Sequence, residues 1–324
     1  MRILRGLPSS RSEVAPSVAA LGSFDGIHLA HVAVLQATVE RARTLGVSAV
    51  ACTFDPHPAL VLHPERAPTP IATLEDNLDR IAAAGIDATL VIPFTPEFSQ
   101  MEAETFVEQV LITALGVREI VVGFNHTFGR GARGTAGLLA ELGAKHDFAA
   151  RVLPPLQAAG QTVSSSAIRD ALREGDVVTA RRFLGHPYSI KGPVMRGAGR
   201  GRTLGFPTAN LRPDRPLILA AGVYVCRASW REGAAWGVVN VGYRPTFEEQ
   251  QYWVEAFLLD WSGDLYDHVV RVEFLERIRA ETKFPSVEAL TRQVLADIDA
   301  GRRMVQGRSP VPADAGELYT PAPP

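Results

Sequence analysis

Between Gly22 and His31 the chain reads GSFDGIHLAH, and this stretch narrows the possible folds more than any other. An apolar run, Val18 to Leu21, precedes it. A helical pattern follows, with Leu29, Val32, Leu35, Ala42 and Leu45 on one broad face. Strand, tight glycine turn and helix in that order bring backbone N–H groups and the positive end of a helix to an anion. His28 and His31 stand three apart, so their rings leave the same side of the first turn. Imidazoles there can donate hydrogen bonds to phosphate oxygens without a permanent charge. A pair of surface histidines beside an ordinary βα turn is the plainer reading. Two histidines, two glycines and an aspartate packed together favour nucleotide chemistry.

From residue 18 to about 153, apolar runs alternate with helical patterns. Val47–Phe54, Thr89–Ile92 and Glu119–Val122 read as buried strands; Leu74–Ala84 and Glu102–Leu115 read as helices ended by Gly85 and Gly116. That alternation predicts a doubly wound parallel sheet, whose ligands bind at the carboxyl ends of the strands. The 22–31 turn, the turn Asp55-Pro56-His57-Pro58 and the glycine-rich loop Gly123–Gly137 all fall at such ends. Ser164, Ser165 and Ser166 form a good helix N-cap, and with Arg169 they offer donors to a phosphate. A helix over 176–184 then breaks at Gly185-His186-Pro187, where a domain boundary is expected. Beyond it, short β-rich runs between Gly and Pro turns predict a small antiparallel barrel or sandwich, closed by an amphipathic helix over about 286–304. Thr208 and Asn210, two apart in an extended stretch, put two neutral oxygens on one face, a set that suits a hard cation.

These segments resemble the prokaryotic bifunctional riboflavin kinase/FAD synthetases. GSFDGIHLAH is similar to the family's GxFDGxHxGH, with Ala30 where the family has Gly. Thr53–Pro58 resembles TF(E/D)PHP. Val122–Gly131 resembles VGxDFxFGxG, with Asn125 for Asp and His126 for an aromatic. Ser164–Arg169 resembles SSSxxR. In the second half GRGRTLGFPTANL carries the kinase signature; Asn240–Phe247 matches NxGxRPTF, and Val254–Tyr266 matches VExxLLDxxxDLY. The resemblance implies an FMN adenylyltransferase domain over 1–186, a riboflavin kinase domain over 187–306 and, from its Pro/Ala-rich composition, a disordered tail over 307–324. It implies that Glu255, His28, His31 and Arg169 are catalytic. Gly22, Ser23, Phe24, Asp25, Ser164, Ser165, Gly199, Gly201 and Gly205 would hold ATP and its phosphates. Asn125, Phe54 and Arg244 would contact flavin, and Thr208 and Asn210 would hold Mg²⁺. ATP is then the co-substrate, with riboflavin, FMN and FAD as substrates and products. Ala30 predicts a weakened adenylyl transfer. A kinase with a weak or inactive first domain and a flavin carrier are the alternatives, the carrier disfavoured because binding alone requires neither a metal site nor a base.

Composition excludes other classes. The formal net charge of −2 gives no basic field for nucleic acid. No apolar run nears the roughly 18 residues of a membrane span, and MRILRGLPSSRSEV lacks the apolar core of a signal peptide, so a cytoplasmic protein with small-molecule partners is expected. Cys52 and Cys226 sit in separate apolar runs and read as buried free thiols. The oligomeric state is left open.

Overall fold

The computed structural model describes residues 1–7, 10–196, 205–245 and 250–310, and the backbone alone for residues 243–245 and 250–252. The chain divides into two compact units, one of Met1–Pro68 with Ala72–Ser164, the other of Thr69–Ile71 with Ser165–Pro324.

The first unit is built on six parallel strands: β1 (Arg2–Arg5), β2 (Ser17–Leu21), β3 (Ser48–Asp55), β4 (Ala88–Pro93), β5 (Val117–Gly123) and, after a short hairpin of β6 (Thr127–Phe128) and β7 (Gly134–Thr135), β8 (Ala149–Leu153). Their order across the sheet is β1-β4-β3-β2-β5-β8. Alternate residues of one strand feed opposite cores. Ala19, Leu21, Val50, Cys52, Ile120 and Val122 join one apolar cluster, and Val18, Ala20, Ala49, Ala51 and Val121 join the other. A sheet covered on both faces explains why these strands read as continuous apolar runs.

Helix α1 (Leu29–Leu45) buries Val34, Leu35, Thr38 and Ala42 and ends at Gly46, whose φ of 65° only glycine adopts freely. Leu45, expected on the buried face, is the last helical residue and is 40% exposed. Three short helices follow: α2 (Pro58–Leu62), α3 (Leu74–Ala83) and α4 (Ala103–Phe106). The single α-helix expected over 102–115 runs instead as α4 into a π-helical stretch, Val107–Ala114, where Leu115 N–H reaches back to Val110 O. Helix α5 (Ala136–His146) precedes β8, and a second hairpin, β9 (Gln157–Ala158) with β10 (Gln161–Thr162), completes the unit.

In the second unit α6 (Ser165–Glu174) and α7 (Val177–Leu184) lead into a closed barrel. Its strands are β11 (Tyr188–Met195), β12 (Ala209–Leu211), β13 (Gly222–Trp230), β14 (Gly233–Pro245), β15 (Gln250–Leu258) and β16 (Val269–Ala280), in the order β11-β12-β15-β14-β13-β16, all antiparallel. Tyr188, Tyr224 and Phe274 fill the interior, the tyrosine rings 5.8 and 5.6 Å from the phenylalanine. Helix α8 (Val287–Val305), capped by Ser286, packs outside through Ile298 and Val305 against Val225 and Leu259.

The unit division falls at Ser164/Ser165, ahead of the expected break at 185–187. Arg277 on β16 donates to Glu174 O at 2.9 Å and to Ala221 O at 2.8 Å, and Ala220 N–H donates to Leu172 O, so α6 is fastened to the barrel. Thr69–Ile71 is held in the same unit by arginines. Arg169 Nε donates to Thr69 O at 2.9 Å; Arg215 Nη2 donates to Ile71 O at 2.7 Å and to Ser189 O at 2.6 Å.

Candidate functional site

The 22–31 turn is braced from below. Gly22 N–H donates to Cys52 O, Thr53 Oγ1 donates to Ser23 O at 3.1 Å, Gly26 N–H donates to Asn77 Oδ1 at 2.9 Å, and Asp25 Oδ1 accepts from Ala72 N–H at 3.2 Å. Phe24, Gly26 and Ile27 all have positive φ, at 47°, 83° and 38°. A β-branched residue there is strained, and the burial of Phe24 and Ile27 (1% and 2% exposed) holds it. Of the four residues of this turn expected at ATP, Ser23 is exposed and Gly22 half-buried. Phe24 and Asp25 are buried and brace the turn.

His28 is the N-cap of α1, and its Nδ1 accepts the His31 N–H at 3.3 Å. An accepting Nδ1 leaves the proton of the neutral ring on Nε2. The His31 ring stacks on His28 with centroids 3.6 Å apart and meets the edge of Phe24 at 5.3 Å. Burial, with His28 beside it, pushes His31 well below the ordinary histidine range. The two rings stand together at the start of α1, on one side of the first turn as their spacing predicted.

At the carboxyl end of β3, Phe54 begins a row of aromatic contacts. Phe54 meets Phe94 at 5.5 Å and Phe98 at 6.2 Å, Phe98 meets Phe106, Phe106 meets Phe128, and Phe128 stacks on His126 at 6.0 Å. The row ends in the glycine-rich loop that carries Asn125, whose side chain is exposed. A Cβ on Gly129 would stand 2.7 Å from the Ala103 backbone, so that glycine lets the loop lie against α4. His126 Nε2 is buried with no hydrogen-bond partner, and burial lowers its pKa to about 4.

On the barrel, residues of β15 alternate: Val254, Ala256 and Leu258 are buried, while Trp253, Glu255 and Phe257 point outward and are half-buried. Glu255 stands directly opposite Asn210 of β12 on one side and Asn240 of β14 on the other. Thr208 lies just before β12, and Asn210 Nδ2 leans to its carbonyl at 3.5 Å. Among the described residues no three His, Cys, Asp or Glu side chains are placed to hold a metal. The donors near Glu255 are neutral oxygens, which fit a cation that keeps phosphate and water ligands.

A family model for FAD synthetase matches residues 10–167, and one for riboflavin kinase matches residues 184–305. The bifunctional riboflavin kinase/FMN adenylyltransferase of Bacillus subtilis (strain 168) is 37% identical over 293 residues, 89% of this chain and 92% of its own length. This chain belongs to the bifunctional riboflavin kinase/FMN adenylyltransferase family. Its relative from Pseudomonas fluorescens is 36% identical over 94% of this chain and 98% of its own. A crystal structure described as a macrolide-efflux protein from Streptococcus pneumoniae shares the fold, with a TM-score of 0.84 and 31% identity over 93% of this chain and 99% of that one. Among the described residues of this chain, no helix is long and apolar enough to cross a membrane.

Within this family member, the structure brings His28 and His31 together and sets Glu255 beside Asn210. Arg169 is buried, its Nε donating to Thr69 O, four residues after Ser165 at the start of α6. Gly205 is exposed with a φ of 87°; Gly199 and Gly201, the side chain of Arg244, and residues 311–324 of the tail lie outside the described residues. Sequence reasoning passed over Asn77, the acceptor for Gly26, and Trp253, whose indole N–H donates to Glu255 Oε1. Asn77 carries no spacing that marks it, whereas Trp253 stands two residues before Glu255, the spacing that puts both on one strand face.

Buried histidines make stability depend on pH. His126 is neutral in the folded protein, while the unfolded chain takes up its proton as pH falls through about 6.5. The unfolded state then binds more protons, so stability is full above pH 6.5 and drains as pH falls toward about 4. Between pH 7 and pH 5 His126 accounts for a loss of about 2 kcal/mol. Urea midpoints at the two values measure it, and His126→Phe is expected to shrink the difference.

Proposed function

We propose that this protein phosphorylates riboflavin at its 5′-hydroxyl to give FMN, then transfers AMP from ATP to FMN to give FAD and pyrophosphate. The observation that carries this is the presence, in one chain matched by both family models, of a stacked His pair at a helix start and a glutamate facing Asn210 on a barrel wall.

In the kinase step Glu255 takes the proton from the 5′-hydroxyl as its oxygen attacks the γ-phosphate of ATP, and ADP leaves. Thr208 and Asn210 would hold Mg²⁺, which supplies charge neutralisation at the phosphates. In the adenylylation step the FMN phosphate needs no base. With a second pKa near 6, by analogy with phosphoesters of side chains, it is already a nucleophile at pH 7. It attacks the α-phosphate, and pyrophosphate departs. His28 and His31 donate to phosphate oxygens, with Ser164 as a further donor. Catalysis there is positioning and charge stabilisation. Phe54, with the aromatic row behind it, and Asn125 face flavin in this reading.

The test is direct. The protein is incubated with riboflavin, ATP and Mg²⁺, and flavins are separated by chromatography over time. FMN is expected first and FAD after it. FMN without FAD would leave a kinase alone, and neither product would leave a flavin carrier.

Ala30 favours slow adenylylation. It sits half-buried in the first turn of α1, between the two histidines. Alanine firms the helix start by about 1 kcal/mol over glycine. A methyl pressed on a nucleotide costs about 1–3 kcal/mol if the site behaves like an overpacked core. Ala30→Gly is therefore expected to improve apparent ATP affinity in FMN adenylylation by about five- to a hundred-and-fifty-fold, with riboflavin phosphorylation unchanged. Unchanged or poorer ATP use would reject crowding.

A further inference from the structure

We propose that Trp253 and Asn240 are positioning residues that fix the Glu255 carboxylate for proton abstraction in the kinase step. This rests on the reading of Glu255 as the base.

Trp253 precedes Glu255 by two residues on β15, so both side chains leave the same outward face of the barrel. The indole N–H donates to Glu255 Oε1. A carboxylate with one oxygen so held cannot swing freely about its terminal bond, and Oε2 is left to accept the substrate proton. Space for the indole is provided across the ladder. The residue directly opposite Trp253 on β14 is Gly242, which has no side chain to compete for that position.

Asn240 acts from the other flank. It faces Glu255 across the β14–β15 ladder, where paired Cβ atoms lie about 4.5–5.5 Å apart. A Cβ built on Gly242 would meet Asn240 Nδ2 at 3.6 Å and Glu281 Oε1 at 3.2 Å, so the amide also stands near a second carboxylate. An amide between two acids can donate toward either and adds no third negative charge. An aspartate there would set like charges directly opposite each other. Asn210 brackets Glu255 from β12, on the side assigned to the cation. Glu255 thus stands between Asn240 and Asn210, with one of its oxygens held by Trp253.

In the full-length protein, Trp253→Phe keeps a ring and removes the N–H. It is expected to lower kcat for FMN formation about ten- to a hundred-fold, the worth of a hydrogen bond to a charged group. KM for riboflavin and ATP should move less than about threefold, since a misplaced base leaves ground-state binding intact. Trp253→His, which retains a ring N–H, should recover part of the rate; Asn240→Ala should fall in kcat and Asn240→Asp further. Unchanged kcat in Trp253→Phe, a change confined to KM, or a Trp253→His variant no better than Trp253→Phe would overturn the proposal. Glu255→Gln separates the two levels of inference. If it keeps a normal kcat, the base reading fails. If it is inactive while Trp253→Phe is normal, positioning alone fails. In the Glu255→Gln background, Trp253→Phe should cost nothing further.

Discussion

Glu255→Gln is expected to slow riboflavin phosphorylation by about 10²–10⁴-fold, the usual worth of a positioned general base. The amide is nearly isosteric, so KM for riboflavin and ATP should hold near the wild-type values. Trp253 and the facing asparagines remain, and the barrel interior of Val254, Ala256 and Leu258 is untouched, so the urea midpoint should not move. FAD formation from supplied FMN should proceed at the wild-type rate, because that step uses no proton acceptor. Initial rates of the two steps, measured separately by flavin chromatography, check all three statements. A variant that keeps a near-normal kcat for FMN would remove Glu255 from the mechanism.

Arg215→Met is expected to destabilise the second unit by about 3–5 kcal/mol, the cost of breaking a buried charged network by removing one partner. The Arg215 side chain is 5% exposed. It donates to Ile71 O, Ser189 O and Asp214 Oδ1 and lies over the Tyr188 ring at 5.5 Å. Methionine restores bulk and leaves two carbonyls and one carboxylate without their donor. The comparison with Arg215→Lys is informative, because a single ammonium cannot reproduce the planar fork. Denaturant midpoints should fall in the order wild type, Lys, Met.

Much of this was legible in the residues because side-chain periodicity records it. The apolar runs of β2, β3 and β5 announced a sheet buried on both faces, and the short β-rich runs between Gly and Pro turns announced an antiparallel barrel or sandwich. The spacing of His28 and His31 gave their stacked rings. What went unread is carried by main-chain groups. The π-helical stretch uses Val107, Val110 and Leu111 as an α-helix would, and differs only in which carbonyl each N–H reaches. The grouping of α6 and α7 with the barrel depends on Glu174 O and Ala221 O meeting Arg277, and the capture of Thr69–Ile71 depends on its carbonyls. Carbonyls are the same in every residue, so a string of side chains is silent about them. Strand β1 is short and mostly exposed, with arginine at both ends, and it too carries no apolar signature.

The proposed placement of the kinase chemistry on the outer wall of the barrel, with the packing inside, has an evolutionary side. Along β15 two selective pressures are interleaved at single-residue spacing. In the proposed mechanism, substitutions at Val254 or Ala256 would change how much folded protein a cell holds, while those at Trp253 or Glu255 would change how fast each folded molecule turns over. A saturation library scored once for abundance and once for flavin output would show two combs of sensitive positions, offset by one residue. Lineages can therefore retune catalytic rate without reopening the question of folding.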